Sequence, residues 1–520
     1  MRPVFRCLLA IVVCGFSVHP TWAQVSCPAR PAPGSIVLDT PSLTSTNGVL
    51  AAEFVMGHSV DQFGYTHYCY NYKSATGDIE APTLRVNQGD TLELEVLDRI
   101  GGDDAGMKMP APAGKICGDS GAMTLQSTNV HFHGLNVSPN CHQDDVLTTL
   151  IQPGSPGFDF KIPIPADEPP GLYWYHPHVH GFVEFQVNGG AAGALVVEGM
   201  NKVRPEVDGL TERVFTIRQQ YLVPWIPGPY QLSINFQVSA FPLPHPIIQM
   251  KPGEKQFWRV ANATLQDFMP LQVQVNGVAQ KMELIALDGY PLAKPRVETT
   301  ILVPPAGRAE FIVEAPPADT VTNFVTLNYS TGPTGNTDLP QTIATVQLSN
   351  NGVQAPSAKA NNSPLHLQDL KFADVAKQVP TAQRKLFFSE EFGGTNGPIQ
   401  FMITVDGQEQ RIFEQNEKPA ITTKVGAVED WTIENRALET HAFHMHQIHF
   451  LVMEVDGKPV TNDYRDTMEI PFWEGPGHPY HSIKVRMDFR DPTIAGTFVF
   501  HCHILLHEDL GMMHKILVEK

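Results

Sequence analysis

Histidine supplies 21 of the 520 residues, a frequency at which His-x-His should arise by chance about once in such a chain. The pattern occurs five times, as His131/His133, His176/His178, His178/His180, His444/His446 and His501/His503. The surrounding segments read HFHGLNVSP, WYHPHVHG, HAFHMHQIHF and HCHILLHEDLGMM. On a β-strand, residues i and i+2 face the same side, so each pair offers two imidazoles to one surface. Four pairs brought together would line one pocket with eight imidazoles. Imidazole suits copper, iron, nickel and zinc, and eight histidines with no carboxylate ligand among the pairs argue against calcium, magnesium and manganese. A zinc hydrolase site, with three or four ligands, would leave most of these histidines idle. The pairs come from opposite ends of the chain, so a shared site must lie where a first and a last domain meet.

The last motif carries a second kind of chemistry. Cys502 is flanked by His501 and His503, His507 follows five residues later, Met512 stands ten residues on, and His441 comes from the preceding motif. Two imidazoles, a thiolate and a weak axial thioether are the ligand set of a blue-copper electron-transfer centre. His58, His67, His245 and His366 lack any such context and read as ordinary buried polar residues. His142, His180, His449, His478, His481 and His514 lie near the motifs but off their spacing, which suits supporting or surface roles.

The elements that must position these residues read as all-β. With 44 prolines, 41 glycines and little helical periodicity, the chain suits short strands and turns. One phrase recurs: LRVNQGDTLELEVLDR from Leu84, IQMKPGEKQFWRVANA from Ile248 and ITTKVGAVEDWTIENR from Ile421. Each places glycine sixth (Gly89, Gly253, Gly426) and then Leu94, Trp258 and Trp431 at one equivalent point, with copies 164 and 173 residues apart. Repeats at domain-sized intervals predict three copies of one β-sandwich rather than a solenoid. We place these at 24–200, 201–365 and 366–520, with the polar stretch from Asn350 to Pro364 as a linker.

Residues 1–23 read as a secretory signal peptide: Arg2 and Arg6 precede an apolar run, and small residues follow near Ala23. No later segment reaches the length of a membrane span, so a secreted or periplasmic protein is expected. The formal net charge of −18 excludes the basic footprint that nucleic acid or an anionic membrane requires. Five cysteines remain after the signal, and an odd number in an oxidising compartment predicts two disulfides and one thiol kept for another use. Cys117 with Cys141 and Cys27 with Cys69 is the preferred pairing among the three connectivities four cysteines allow, leaving Cys502 as a ligand.

On these four motifs the chain resembles the three-domain multicopper oxidases, the family of laccases, bilirubin oxidases, spore-coat laccase and the bacterial copper-efflux oxidase. The resemblance covers nearly the whole mature chain. It implies three cupredoxin-like Greek-key β-sandwiches and four copper ions. His441, Cys502, His507 and Met512 would hold the type 1 copper, and His131 with His444 the type 2 copper. His133, His176 and His503 would hold one type 3 copper, and His178, His446 and His501 the other. Electrons from a reducing substrate would pass from Cys502 to its neighbours His501 and His503 and reduce dioxygen to water. Glu508, in the HEDxGMM ending, matches an acid that serves proton transfer in the copper-efflux oxidase, and Asp144 or Asp145 matches a second acid of the family.

Two departures bear on the reductant. The family's HPFHxHG reads HAFHMHQ here, and Gly352 to Glu391 contains no methionine, whereas the copper-efflux oxidase carries a methionine-rich insertion there. The expectation is therefore a laccase-like monomer acting on a phenol or aromatic amine, with Glu439 either beside the substrate or simply on the surface. The alternatives are a metallo-oxidase acting on Cu(I) or Fe(II) and a copper-free structural scaffold of the same fold.

Overall fold

The computed structural model describes residues 23–101, 106–112, 114–220, 231–318, 320–349, 365–392 and 399–520. The predicted signal peptide, apart from Ala23, and the predicted linker lie outside them. The recurring phrase forms the same unit three times. Strands Thr83–Val86, Ile247–Met250 and Ile421–Lys424 each run into a turn with Gly89, Gly253 or Gly426 at positive φ, and then into Thr91–Asp98, Lys255–Ala263 or Ala427–Asn435. Glycine enters that left-handed region without steric cost. Side chains of Thr91–Asp98 alternate strictly between half-buried and buried, so one face packs inward. Leu94, Trp258 and Trp431 lie on the inner faces, each with at most 1 % exposure.

The pairing around each unit is also the same. The strand after the turn lies parallel to Val49–Val60, Thr211–Gln220 or Ala382–Phe392 and antiparallel to Phe158–Pro163, Arg308–Glu314 or His481–Phe489. The strand before it lies in a second sheet, parallel to Gly193–Val197, Gln341–Leu348 or Met513–Glu519. The result is three cupredoxin-like sandwiches, each with its own apolar core. Non-consecutive strands lie side by side throughout, as a Greek key requires. Among the described residues, no helix is long and apolar enough to cross a membrane.

The strands that carry the motifs occupy matching places. In the first sandwich His131–His133 pairs antiparallel with Gly171–His176, setting His131 opposite His176. In the third, His441–Met445 pairs with Gly496–Cys502, setting His444 opposite His501 and Phe443 opposite Cys502. Alternation then sorts the side chains. Phe498, Phe500 and Cys502 enter the third core, while Val499 packs against Val146 and Leu147 of the first sandwich. Disulfides join Cys27 to Cys69 and Cys117 to Cys141, and Cys502 is a free, buried thiol.

Candidate metal centres

Cys502, His441 and His507 form a compact triangle. Sγ of Cys502 lies 3.6 Å from Nδ1 of His441 and 3.8 Å from Nδ1 of His507, and the two nitrogens are 3.3 Å apart. A metal about 2.0–2.3 Å from three ligand atoms in a trigonal plane separates them by about 3.5–3.7 Å, so the triangle fits one ion. Met512 is fully buried in the same core. Its N–H donates to the His507 carbonyl and its carbonyl accepts from Cys502 N, at 2.8 and 3.0 Å. Burial pushes the Cys502 thiol up, and a bound cation is what would favour its thiolate. Phe401 stacks on His507 at 3.9 Å.

The eight histidines of the other motifs converge between the first and third sandwiches, all nearly or fully buried. His131 stacks on His446 and His133 on His444, both at 3.9 Å. Ligand atoms of His178, His446 and His501 fall within 4.8 Å of one another, with Nε2 of His501 3.4 Å from His178 and 3.1 Å from His446. The same limit groups His131 with His133 and His176, and also with His444 and His446, so the positions interleave around His131. His503 lies 5.0 Å from His133 and 5.5 Å from His176, ring to ring.

Hydrogen bonds fix which nitrogen each ring presents. Nδ1 of His176, His444 and His501 donates to the carbonyls of Pro177, Asp466 and Cys502, which leaves Nε2 as the lone-pair donor. Buried nitrogens without a partner remain on His131 (Nε2), His133 (Nδ1), His176 (Nε2), His444 (Nε2), His446 (Nδ1) and His503 (both). Burial lowers the pKa of His131, His133, His176, His178, His444, His446 and His503, His176 to about 3 and His178 to about 4, which favours their neutral form. Orphaned lone pairs on buried neutral imidazoles are costly unless a cation takes them, and the donor set suits copper.

The acids sort into distinct roles. Asp144 is buried, with both oxygens 3.0 Å from Nδ1 of His131, and accepts from Phe132 N. Asp145, the other expected acid, turns away: its carboxylate accepts from Leu147 N and Thr148 N and caps a local turn. Asp144 closes one turn and Asp145 opens the next, and only Asp144 reaches the cluster. Glu508 places Oε1 3.3 Å from Nε2 of His178 and Oε2 3.1 Å from Nδ1 of His501, in ion-pair range but out of hydrogen-bond alignment. Asp509 instead accepts the N–H groups of Gly181, Val183 and Glu184, tying the third sandwich to the first.

Sequence reasoning missed several neighbours. Asp466 lies 3.3 Å from Nε2 of His133 and pairs with Arg308 of the middle sandwich. The Arg308 guanidinium also donates to the Leu172 and Asp288 carbonyls, so all three sandwiches meet there. His449 donates to the Asp288 carbonyl from the same interface. Glu390 places Oε1 3.5 Å from Nε2 of His441, and Glu439 places Oε2 3.6 Å from Nε2 of His507. Glu439 is buried rather than on the surface. No spacing signal marks Asp466, Arg308 or Glu390, because each reaches its partner through tertiary contact; Glu439, near His441, and His449, with a supporting or surface role, were singled out.

A sandwich fold holding a cysteine–histidine triangle, joined by one tripeptide to an imidazole cluster, defines a copper electron-transfer protein. Residues 123–202, 212–351 and 392–520 each match a family model described as multicopper oxidase. A multicopper oxidase of Staphylococcus haemolyticus is 24 % identical over 478 residues, covering 88 % of this chain and 87 % of its own. A Haloferax volcanii laccase is 22 % identical, covering 85 % and 77 %. The fold matches a Campylobacter jejuni multicopper oxidase described as a metallo-oxidase, with a TM-score of 0.67, 22 % identity and coverage of 96 % and 98 %. The chain belongs to the multicopper oxidase family. It is an oxidoreductase that uses copper and dioxygen.

Proposed function

We propose that this multicopper oxidase draws its electrons from a reduced metal ion, Fe(II) foremost, at the outer edge of the Cys502 centre. The observation that carries this reading is the pair Glu390 and Glu439, each against the outer nitrogen of one histidine of that centre. Glu390 Oε1 has no hydrogen-bond partner, and its side chain is only 3 % exposed. Burial, and then the adjacent Glu390, raise the Glu439 carboxyl to about 8. A cation between the two would replace their shared proton and relieve their repulsion. Oxygen donors suit Cu(I) less than thioethers do, and no methionine lies between Gly352 and Glu391. The metallo-oxidase description of the Campylobacter jejuni relative supports the same choice.

The wider reading keeps the ligand division implied by the resemblance, four copper ions in all, and sandwiches at 24–200, 201–365 and 366–520 of a secreted or periplasmic monomer. Bound copper supplies the one-electron chemistry and the reduction of dioxygen. Around it, Cys502 gives a covalent path to His501 and His503 on either side. Glu508 holds an acceptor carboxylate against His178 and His501, where protons for dioxygen reduction are needed, and Asp144 orients His131. A phenol or aromatic amine is the second reading, favoured by Phe401 stacked on His507 and by Leu506 and Leu510, exposed on either side of it.

Steady-state rates with Fe(II), Cu(I) and a methoxyphenol test this, in the wild type and in Glu390→Gln and Glu439→Gln. Each variant should lower kcat/KM for Fe(II) by about 10–100-fold, the equivalent of roughly 1.5–3 kcal/mol for a charged contact, with phenol turnover nearly unchanged. Faster wild-type turnover of phenol than of Fe(II), with neither variant affecting Fe(II), would overturn the metal-ion reading.

A further inference from the structure

Gln447 stands where the family motif carries glycine, directly after the last cluster histidine of HAFHMHQ. Its φ is +60°, in the left-handed region that glycine enters freely and a long side chain does not. The conformation is thus retained with a residue poorly suited to it, and such strain persists where surroundings hold it in place. The side chain is 2 % exposed. Its Nε2 donates to Asp144 Oδ2 at 2.5 Å, crossing from the third sandwich to the first.

Asp466 and Asp144, two of the carboxylates beside cluster histidines, are held differently. Asp466 receives the Arg308 guanidinium on both oxygens. Asp144, also buried, receives Phe132 N on Oδ1 and the Gln447 amide on Oδ2, and faces His131 with both. A neutral amide at this point fixes the carboxylate without adding charge to the imidazole pocket. Without it, Oδ2 would be a buried acceptor held only by His131, free to turn and carry the ring with it.

We propose that Gln447 is a positioning residue: its amide clamps Asp144 against Nδ1 of His131 and so aims Nε2 of His131 into the cluster. The inference rests on the reading of His131 as a copper ligand. It also accounts for the replaced glycine, since glycine would ease the backbone but reach nothing in the first sandwich.

The test uses the full copper-loaded protein and two substitutions. Gln447→Met keeps length and strain but removes the donor, and Gln447→Gly removes both donor and strain. Chelator competition should show a 10–100-fold loss of affinity for one copper of the cluster in each, with a changed paramagnetic resonance signal from the copper shared by His131 and His444. The visible copper–thiolate absorption, which reports the Cys502 centre and the fold, should stay unchanged. Wild-type affinity and resonance in either variant would overturn the proposal, as would parallel loss of the thiolate absorption, which marks a merely structural role. His131→Ala separates the two levels. If it too retains every copper, the ligand reading fails; if it loses one while the Gln447 variants do not, only the clamp fails.

Discussion

The Cys502 centre and the imidazole cluster share a tripeptide yet are built in opposite ways. The first is assembled by one sandwich, from residues between His441 and Met512, with Cys502 and Met512 inside that sandwich's own apolar core. The second takes four histidines from the first sandwich and four from the third, and its supporting arginine from the middle one. A site within one core is stabilised by whatever folds that core. A site between cores also depends on domain docking, and interfaces within a chain are smaller and more polar than cores. Perturbations at the interface should therefore empty the cluster before they touch the thiolate centre.

The largest expected effect separates the two outright. Cys502→Ser should abolish oxidation of any substrate and remove the copper–thiolate absorption, while copper analysis still finds the cluster filled. Loss of all copper together would mean that the two centres load as one unit. Next comes Asp466→Ala, which takes from the buried Arg308 the carboxylate it meets on both oxygens and leaves only Asp288, 3.8 Å away. Breaking such a pair costs about 3–5 kcal/mol, so chemical denaturation should show a strongly destabilised protein whose cluster copper is released at lower denaturant than the thiolate copper. Coincident release would show that docking and the third core unfold cooperatively.

The Cys117–Cys141 bridge closes a loop around the His131/His133 strand. Replacing both cysteines by serine should cost about 3 kcal/mol and lower the Tm, again with earlier loss at the cluster than at Cys502. An equal shift at both centres would contradict the local character of that half of the site. The smallest effect concerns the rim of the thiolate centre. Leu506→Asn and Leu510→Asn alter exposed side chains, where substitutions stay within about 0.5 kcal/mol, so Fe(II) turnover should hold within about twofold. A tenfold fall in methoxyphenol turnover alone would show that aromatic donors use this apolar rim.

Much of this was legible in the chain because period-two alternation is a local property. His501, Cys502 and His503 must face alternate sides of a strand, so two centres on two faces follow from spacing, and the repeated strand-turn-strand phrase follows from glycine and the buried Leu94, Trp258 and Trp431. The choice between Asp144 and Asp145 was not legible, since adjacent residues are equivalent in sequence until a partner, here His131, fixes which one turns inward. Nor could sequence find Glu390 against His441, which depends on the register of Ala382–Phe392 along Ala427–Asn435.

By itself, then, the sequence determined the donor types and the faces they occupy, because strand geometry converts spacing into direction. Tertiary structure alone decided which faces meet. Arg308 reaches Asp466 across 158 residues and Gln447 reaches Asp144 across 303, and contacts at such separations arise only when independently folded cores dock.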